Sequence, residues 1–305
     1  MTSPFRGSSS ARCARIVAIA LAAAAIGPTA FAAPAACPPR PPIPAPSRVP
    51  RCAFNDAQLS YAGSPRDQAL CLMPQGVAGH FTPRLSLGAP LDRLVGTPAT
   101  IDRTRLLALL AANGVAYPRN LMNTGLSHAQ GGGAGSPEAR YFVIHDTSGP
   151  VARGRFTDDS DPAVNRLGAQ YCDGTFAAHA FVNRLGQVLV AYDYAVPWRA
   201  TKFESTNPAR KGLFLHVELN QPRRPRPGED LVDASLTPDP PFTYAQYHAL
   251  ALLYVTASAR AGRWLTPAFH SAIDSAWEDD HDDPRGFELS TFDAALGSVL
   301  GSLAR

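Results

Sequence analysis

Residues 141–147 read Tyr-Phe-Val-Ile-His-Asp-Thr, a β-like apolar stretch that ends in an ionisable side chain. A strand of this kind has to sit in a sheet, and its end is where a chain leaving a sheet commonly builds a site. A second run with the same character lies at residues 213–219. Its period of two puts Phe214, His216 and Glu218 on one face and Leu215, Val217 and Leu219 on the other. Burying a glutamate and a histidine without partners is costly, so the even face is expected to look into a cleft or toward a cation. The alternative at this point is the solvent-facing side of an edge strand.

Further strands are expected at 180–183 and 188–194, joined by a hairpin turn at Arg184-Leu185-Gly186, and a long helix at 244–261 with Ala249, Leu250, Leu252, Leu253 and Val255 on an amphipathic face. Strands interleaved with helices argue for the α/β class, a central mixed β-sheet flanked by helices. The 45% hydrophobic content of the 305 residues is enough for a buried core. An N-terminal accessory region is expected at 52–136, with one helix at 101–112 stopped by Asn113-Gly114, followed by the main domain at 137–305. The glycines between 131 and 135 lack a phosphate-loop lysine and read as a flexible connection.

Arg6, Arg12 and Arg15, an apolar run at 16–26 and Ala30-Phe31-Ala32 form the pattern of a secretory signal over residues 1–32. The run is too short to span a bilayer, so no transmembrane helix is expected in the mature chain. Removing those three arginines takes the formal charge from +3 to zero, 25 basic against 25 acidic residues. With Arg223-Arg224-Pro225-Arg226, read as a solvated loop, the one basic cluster left, no nucleic-acid partner is expected. Residues 33–51 form a proline-rich linker, with seven prolines among positions 37–51 that disfavour helix and sheet. Cys37, Cys52, Cys71 and Cys172 enter an oxidising compartment, periplasmic or extracellular. A Cys52–Cys71 bridge across the turn at 63–65 is favoured, and the pairing of Cys37 and Cys172 stays open. Cys37 is also a candidate lipid-attachment cysteine, which would anchor the chain to the outer membrane.

Context separates the eight histidines. His80 and His128 lie in loop-like sequence and His248 in the long helix, whereas His145 ends a strand. The order of the remaining motifs resembles the zinc-dependent type-2 N-acetylmuramoyl-L-alanine amidases, relatives of the peptidoglycan recognition proteins. Phe142-Val143-Ile144-His145-Asp146-Thr147 looks like that family's first strand, and the stretch from Ala178 through His179 to Gly186 like its histidine-containing strand and turn. Val196-Pro197-Trp198-Arg199-Ala200 is similar to its tryptophan-histidine-alanine stretch, with Arg199 in the histidine place. Leu215-His216-Val217-Glu218-Leu219-Asn220 resembles the strand with the catalytic glutamate, and Phe269-His270-Ser271 and His281-Asp282-Asp283-Pro284 resemble the remaining ligand segments.

The resemblance covers residues 141–305 and implies a Zn2+ ion on His145, His270 and Asp283, with Asp280 and Asp282 as alternatives to Asp283. It implies Glu218 and His281 as catalytic groups, His281 standing where the family has lysine, and His179, Trp198 and His216 as pocket or substrate-binding residues. Two neutral imidazoles and one carboxylate suit an open hydrolytic zinc site. The activity implied is cleavage of the amide between N-acetylmuramic acid and L-alanine in peptidoglycan or muropeptides. The rival expectation is a non-catalytic peptidoglycan-binding module of the same fold.

Overall fold

The computed structural model describes residues 42–76, 81–117, 122–130, 135–151, 156, 158–230, 234–278 and 282–305. Residues 1–32, where a signal sequence is expected, Cys37, His80, residues 131–134, Asp280 and His281 lie outside them. Residues 39–305 belong to one compact unit.

The elements are β1 (Phe54–Asn55), β2 (Ser60–Tyr61), α1 (Pro65–Leu72), α2 (Leu91–Leu94), α3 (Arg103–Ala112), β3 (Tyr141–Asp146), β4 (Gly149–Pro150), β5 (Ala180–Val182), β6 (Val188–Val190), α4 (Lys202–Ser205), β7 (Phe214–Leu219), β8 (Pro222–Arg223), α5 (Tyr244–Ala261), β9 (Thr266–Phe269), α6 (His270–Ile273) and α7 (Leu289–Ala304). Five strands form a central mixed sheet in the order β6-β5-β7-β3-β9. β5, β7, β3 and β9 are parallel to one another, and β6 is antiparallel. β7 is therefore an inner strand between β5 and β3, buried along both faces except at half-buried Glu218, which excludes the edge-strand reading of its polar side.

The antiparallel turn between β5 and β6 falls at Arg184, Leu185 and Gly186. Gly186 has φ +76°, and a Cβ there would come within 2.8 Å of the Ala245 carbonyl oxygen, so this corner requires glycine.

The register decides which side chains share a face. Tyr141 pairs with Phe214 and Thr266, Val143 with His216 and Ala268, and His145 with Glu218. The opposite face carries Phe142 and Ile144 and is covered by α5 and α7: Phe142 meets Tyr254 edge to face at 5.3 Å, and Tyr254 meets Phe292 of α7 at 6.0 Å. α5 begins with a reciprocal cap between Thr243 and Gln246 and ends at Gly262 in the left-handed region. It is buried from Gln246 to Arg260 apart from partly exposed His248, far more than one amphipathic face, because α3 and α7 cover the side that the sheet leaves.

The His145 face is covered by the segment that precedes the sheet. Tyr61 packs on Tyr141 at 5.2 Å and donates its backbone N–H to the Tyr141 hydroxyl at 2.9 Å, and that hydroxyl donates to Gln68 of α1 at 3.1 Å. A Cys52–Cys71 disulfide ties the β1–β2 hairpin to α1. The described part of the proline-rich stretch has no regular structure, yet it is bound. Ser47 and Arg48 donate backbone N–H groups to Ala276 O at 2.9 and 3.0 Å, and the Trp277 indole donates to Pro44 O at 2.8 Å. No helix among the described residues is long and apolar enough to cross a membrane.

Candidate metal centre

Because β3, β7 and β9 run parallel, their C-terminal ends lie together, and the polar residues that end each run meet there. His145 Nδ1 lies 3.0 Å from His270 Nδ1, and His270 Nδ1 lies 2.9 Å from Asp283 Oδ2. One donor atom from each of these three buried residues falls within 4.8 Å of the others, so the group could hold a metal ion. Asp282 points elsewhere: its carboxylate takes Arg223 at 2.8 Å and Arg285 at 2.6 Å, leaving Asp283 as the described aspartate in the cluster.

The outer ring nitrogens test the fit. His270 Nε2 is 2.9 Å from Asp274 Oδ2, so it carries the proton and donates. His145 Nε2 is 3.0 Å from His216 Nδ1, and His216 Nε2 is 3.1 Å from Glu204 Oε2. With a proton on each Nε2 both contacts become N–H donations ending on a carboxylate, and both Nδ1 lone pairs turn toward Asp283. Two lone pairs and a carboxylate converging in a buried space repel unless a cation or a proton lies between them. The neighbouring imidazole follows the same rule: the His216 backbone N–H donates to His179 Nδ1 at 3.0 Å, and His179 Nε2 donates to Val196 O at 3.0 Å.

Electrostatics agree with a site built for positive charge. Burial alone would lower the His270 pKa, but Asp283 and Asp274 on either side raise it well above the usual histidine value. Burial and the neighbouring His270 push His145 down to about 3, and burial pushes His216 and His179 down to about 3. Glu218, across the ladder from His145, is pushed up to about 8 by burial and then by Asp283 and Asp146. Its Oε2 is sealed from solvent with no hydrogen-bond partner among the described residues.

A cleft of about 560 Å³ opens beyond these strand ends, lined by Thr147, Arg166, Gln170, Tyr171, Asn220 and Gln221 among others. Its walls start two residues past His145 and two past Glu218. A second cavity of about 360 Å³, lined by Arg140 and Thr266 among others, lies at the opposite ends of the strands.

Of the residues singled out from sequence, His145, His270 and Asp283 form the cluster, Glu218 is paired in register with His145, and His216 braces His145. His179 stacks on His216 at 5.8 Å without reaching the triad. Trp198 donates to Ala177 O at 3.1 Å and packs on Tyr192 at 4.8 Å, half-buried. Glu204 and Asp274 went unrecognised. Thr201-x-x-Glu204 is a helix-start signature, and His270 and Asp274 stand four apart on one helical face, which were the available signals.

Arg223 is a further residue of the site. Its guanidinium joins Asp146, which follows His145, at 2.7 Å and Asp282, which precedes Asp283, at 2.8 Å. Two segments that carry members of the cluster are thereby fastened to one buried cation.

No family model, no curated protein and no solved structure matches this chain.

Proposed function

We propose that this protein is a periplasmic or secreted zinc-dependent amidase that cleaves the bond between N-acetylmuramic acid and L-alanine in peptidoglycan or muropeptides. The observation that carries the reading is the meeting of His145, His270 and Asp283 beside half-buried Glu218, whose Oε2 is sealed from solvent with no hydrogen-bond partner among the described residues. His145 Nδ1, His270 Nδ1 and Asp283 would hold the zinc. Zinc on such a donor set supplies Lewis acidity, polarising a carbonyl and bringing the pKa of water to about 7.

The chain's own groups supply the rest. Glu218 takes the proton of the attacking water at Oε2 and returns it to the leaving amine. Burial is the first cause of the raised Glu218 pKa and Asp283 the second, and a cation held by Asp283 would offset the second and favour the ionised carboxylate. His281 is assigned to the oxyanion on its sequence position. The cleft at the strand ends offers Arg166, Gln170 and Asn220 as polar partners for a peptide or sugar chain.

A purely binding module of this kind needs no glutamate with an Oε2 sealed from solvent and unbonded among the described residues. The Cys52–Cys71 disulfide is compatible with the oxidising compartment proposed. The test is incubation of the purified protein with peptidoglycan, with and without a chelator, and identification of products by mass. Release of stem peptides that begin with a free L-alanine amine, abolished by chelation and restored by zinc, is expected. Glycan fragments with intact stems, or no products at all, would refute the reading.

A further inference from the structure

The two histidines of the triad are braced through their outer nitrogens, and both lines of contact end on one short helix. From His270 the line runs to Asp274, whose carboxylate also accepts the backbone N–H groups of Lys202 at 2.8 Å and Phe203 at 2.9 Å, the first residues of α4. From His145 it runs through His216 to Glu204, a residue of α4 itself. Glu204 is held in turn by the Thr201 hydroxyl at 2.8 Å and the Ala200 N–H at 3.2 Å.

α4 is gripped from its other side by the N-terminal hairpin. The Phe203 ring lies 5.0 Å from Phe54 and 5.9 Å from Tyr61. The Arg210 guanidinium sits 3.8 Å over Phe203, donates to the Phe203 carbonyl at 2.8 Å, and makes two 2.9 Å hydrogen bonds to Asp56 in the hairpin turn. A continuous set of packed and hydrogen-bonded groups thus joins the hairpin to both imidazoles.

We propose that Glu204 and Asp274 are positioning residues of the metal centre and that the N-terminal hairpin, acting through α4, sets the affinity of that centre for its metal. This rests on the metal centre described above and on no particular substrate. An imidazole offers its Nδ1 lone pair in one direction only when Nε2 carries the proton and the ring plane is fixed. A carboxylate acceptor, direct on Nε2 of His270 and relayed through His216 for His145, secures both and makes the ligand nitrogen more basic. Both carboxylates here depend on α4 for their placement, so displacing α4 loosens two ligands together. The segment before the sheet thereby acquires a role that neither its composition nor its motifs assign.

The experiment is a zinc competition titration against a chromophoric chelator, together with the visible spectrum of the Co2+-loaded protein and its metal-free melting curve. It is run on the full chain for wild type, Glu204→Gln, the exposed remote variant Asp56→Ala, and Leu106→Ala in the opposite layer as a control for stability loss. Glu204→Gln is expected to weaken zinc about 10- to 100-fold and to alter the Co2+ bands. Asp56→Ala is expected to weaken it about three-fold with a smaller change of the same bands. Leu106→Ala should lower the melting temperature and leave affinity and spectrum of the folded protein alone.

The proposal is overturned if Glu204→Gln and Asp56→Ala both bind zinc as wild type does with unchanged Co2+ bands. It is equally overturned if Leu106→Ala loses as much affinity as Asp56→Ala. Wild type that binds no zinc would strike down the metal centre and this proposal together. Wild type that binds zinc and releases nothing from peptidoglycan would strike down the amidase reading alone.

Discussion

Replacing Glu218 by glutamine should stabilise the metal-free protein while abolishing its activity, and the size of the effect follows from the site. The carboxyl is pushed from 4.5 to about 8 by burial and by Asp283 and Asp146. Between those values the folded state binds a proton that the unfolded state does not, so wild-type stability falls as pH rises through the window. Glutamine does not titrate and escapes that loss. At pH 7 the interval of two and a half units corresponds to about 3 kcal/mol, which the partial exposure of the residue reduces to about 2 kcal/mol. In a protein of this size that is roughly 4–8 °C in melting temperature. The assay is thermal and urea unfolding of both proteins in excess chelator at pH 4 and pH 7, alongside zinc content and stem-peptide release for the loaded forms. The gain should be absent at pH 4, where both side chains are neutral, and activity should fall about 100- to 10,000-fold with zinc retained. A variant that is less stable at pH 7, or a difference that ignores pH, would refute the electrostatic account of Glu218. Retained activity would remove it from the chemistry.

His145→Ala and Asp283→Ala should each empty the site, so elemental analysis of either purified variant should find less than one tenth of the wild-type zinc, about a ten-fold loss or more. Because Asp283 and Asp274 keep His270 protonated and Glu218 is pushed up to about 8 in the metal-free protein, zinc uptake at pH 7 should expel about two protons, one from each, and weaken as pH falls. Calorimetry in buffers of different ionisation heat measures that number directly, and buffer-independent heats would contradict it. His179 lies away from the triad and has its pKa lowered to about 3 by burial, so the unfolded chain takes up a proton that the folded one refuses as pH falls below about 6.5. Wild-type stability should therefore drop by about 1.4 kcal/mol per pH unit more steeply than that of His179→Asn, read as denaturant midpoints between pH 4 and 6.5.

The parts of the molecule that were legible in sequence are those in which local pattern and tertiary role coincide. The run ending in His145 reads as a strand because it is one, and helix α5 carries both a start signal at Thr243 and a stop at Gly262. The alternation in β7 showed that Glu218 and His216 share a face but not whether that face is buried, since burial depends on the neighbours β5 and β3. Strand β9 escaped notice because it is four residues long and contains Pro267, which is tolerated because β9 lies at the sheet edge and pairs only with β3. Glu204 and Asp274 were hidden for a different reason. Each looks like an ordinary helix-terminal acid, and the contact that gives it meaning joins segments about seventy residues apart, as in the 2.9 Å bond between the Phe203 N–H and Asp274. The proline-rich stretch at 42–51 was read correctly as lacking helix and sheet, but composition carries no information about the carbonyls at Ala276 and Pro44 that fasten it to the turn after α6.

The three candidate ligand atoms come from the end of β3, the first residue after β9 and a loop thirteen residues further on, with the two histidines 125 positions apart. A chain that ends before Asp283 cannot contain all of them, and the cluster also needs β9 paired with β3. Under the proposed function, metal capture would therefore follow the closure of the sheet, and a molecule halted earlier would lack the complete donor set. The metal-to-protein ratio of a preparation would then count its correctly finished molecules, independently of any substrate.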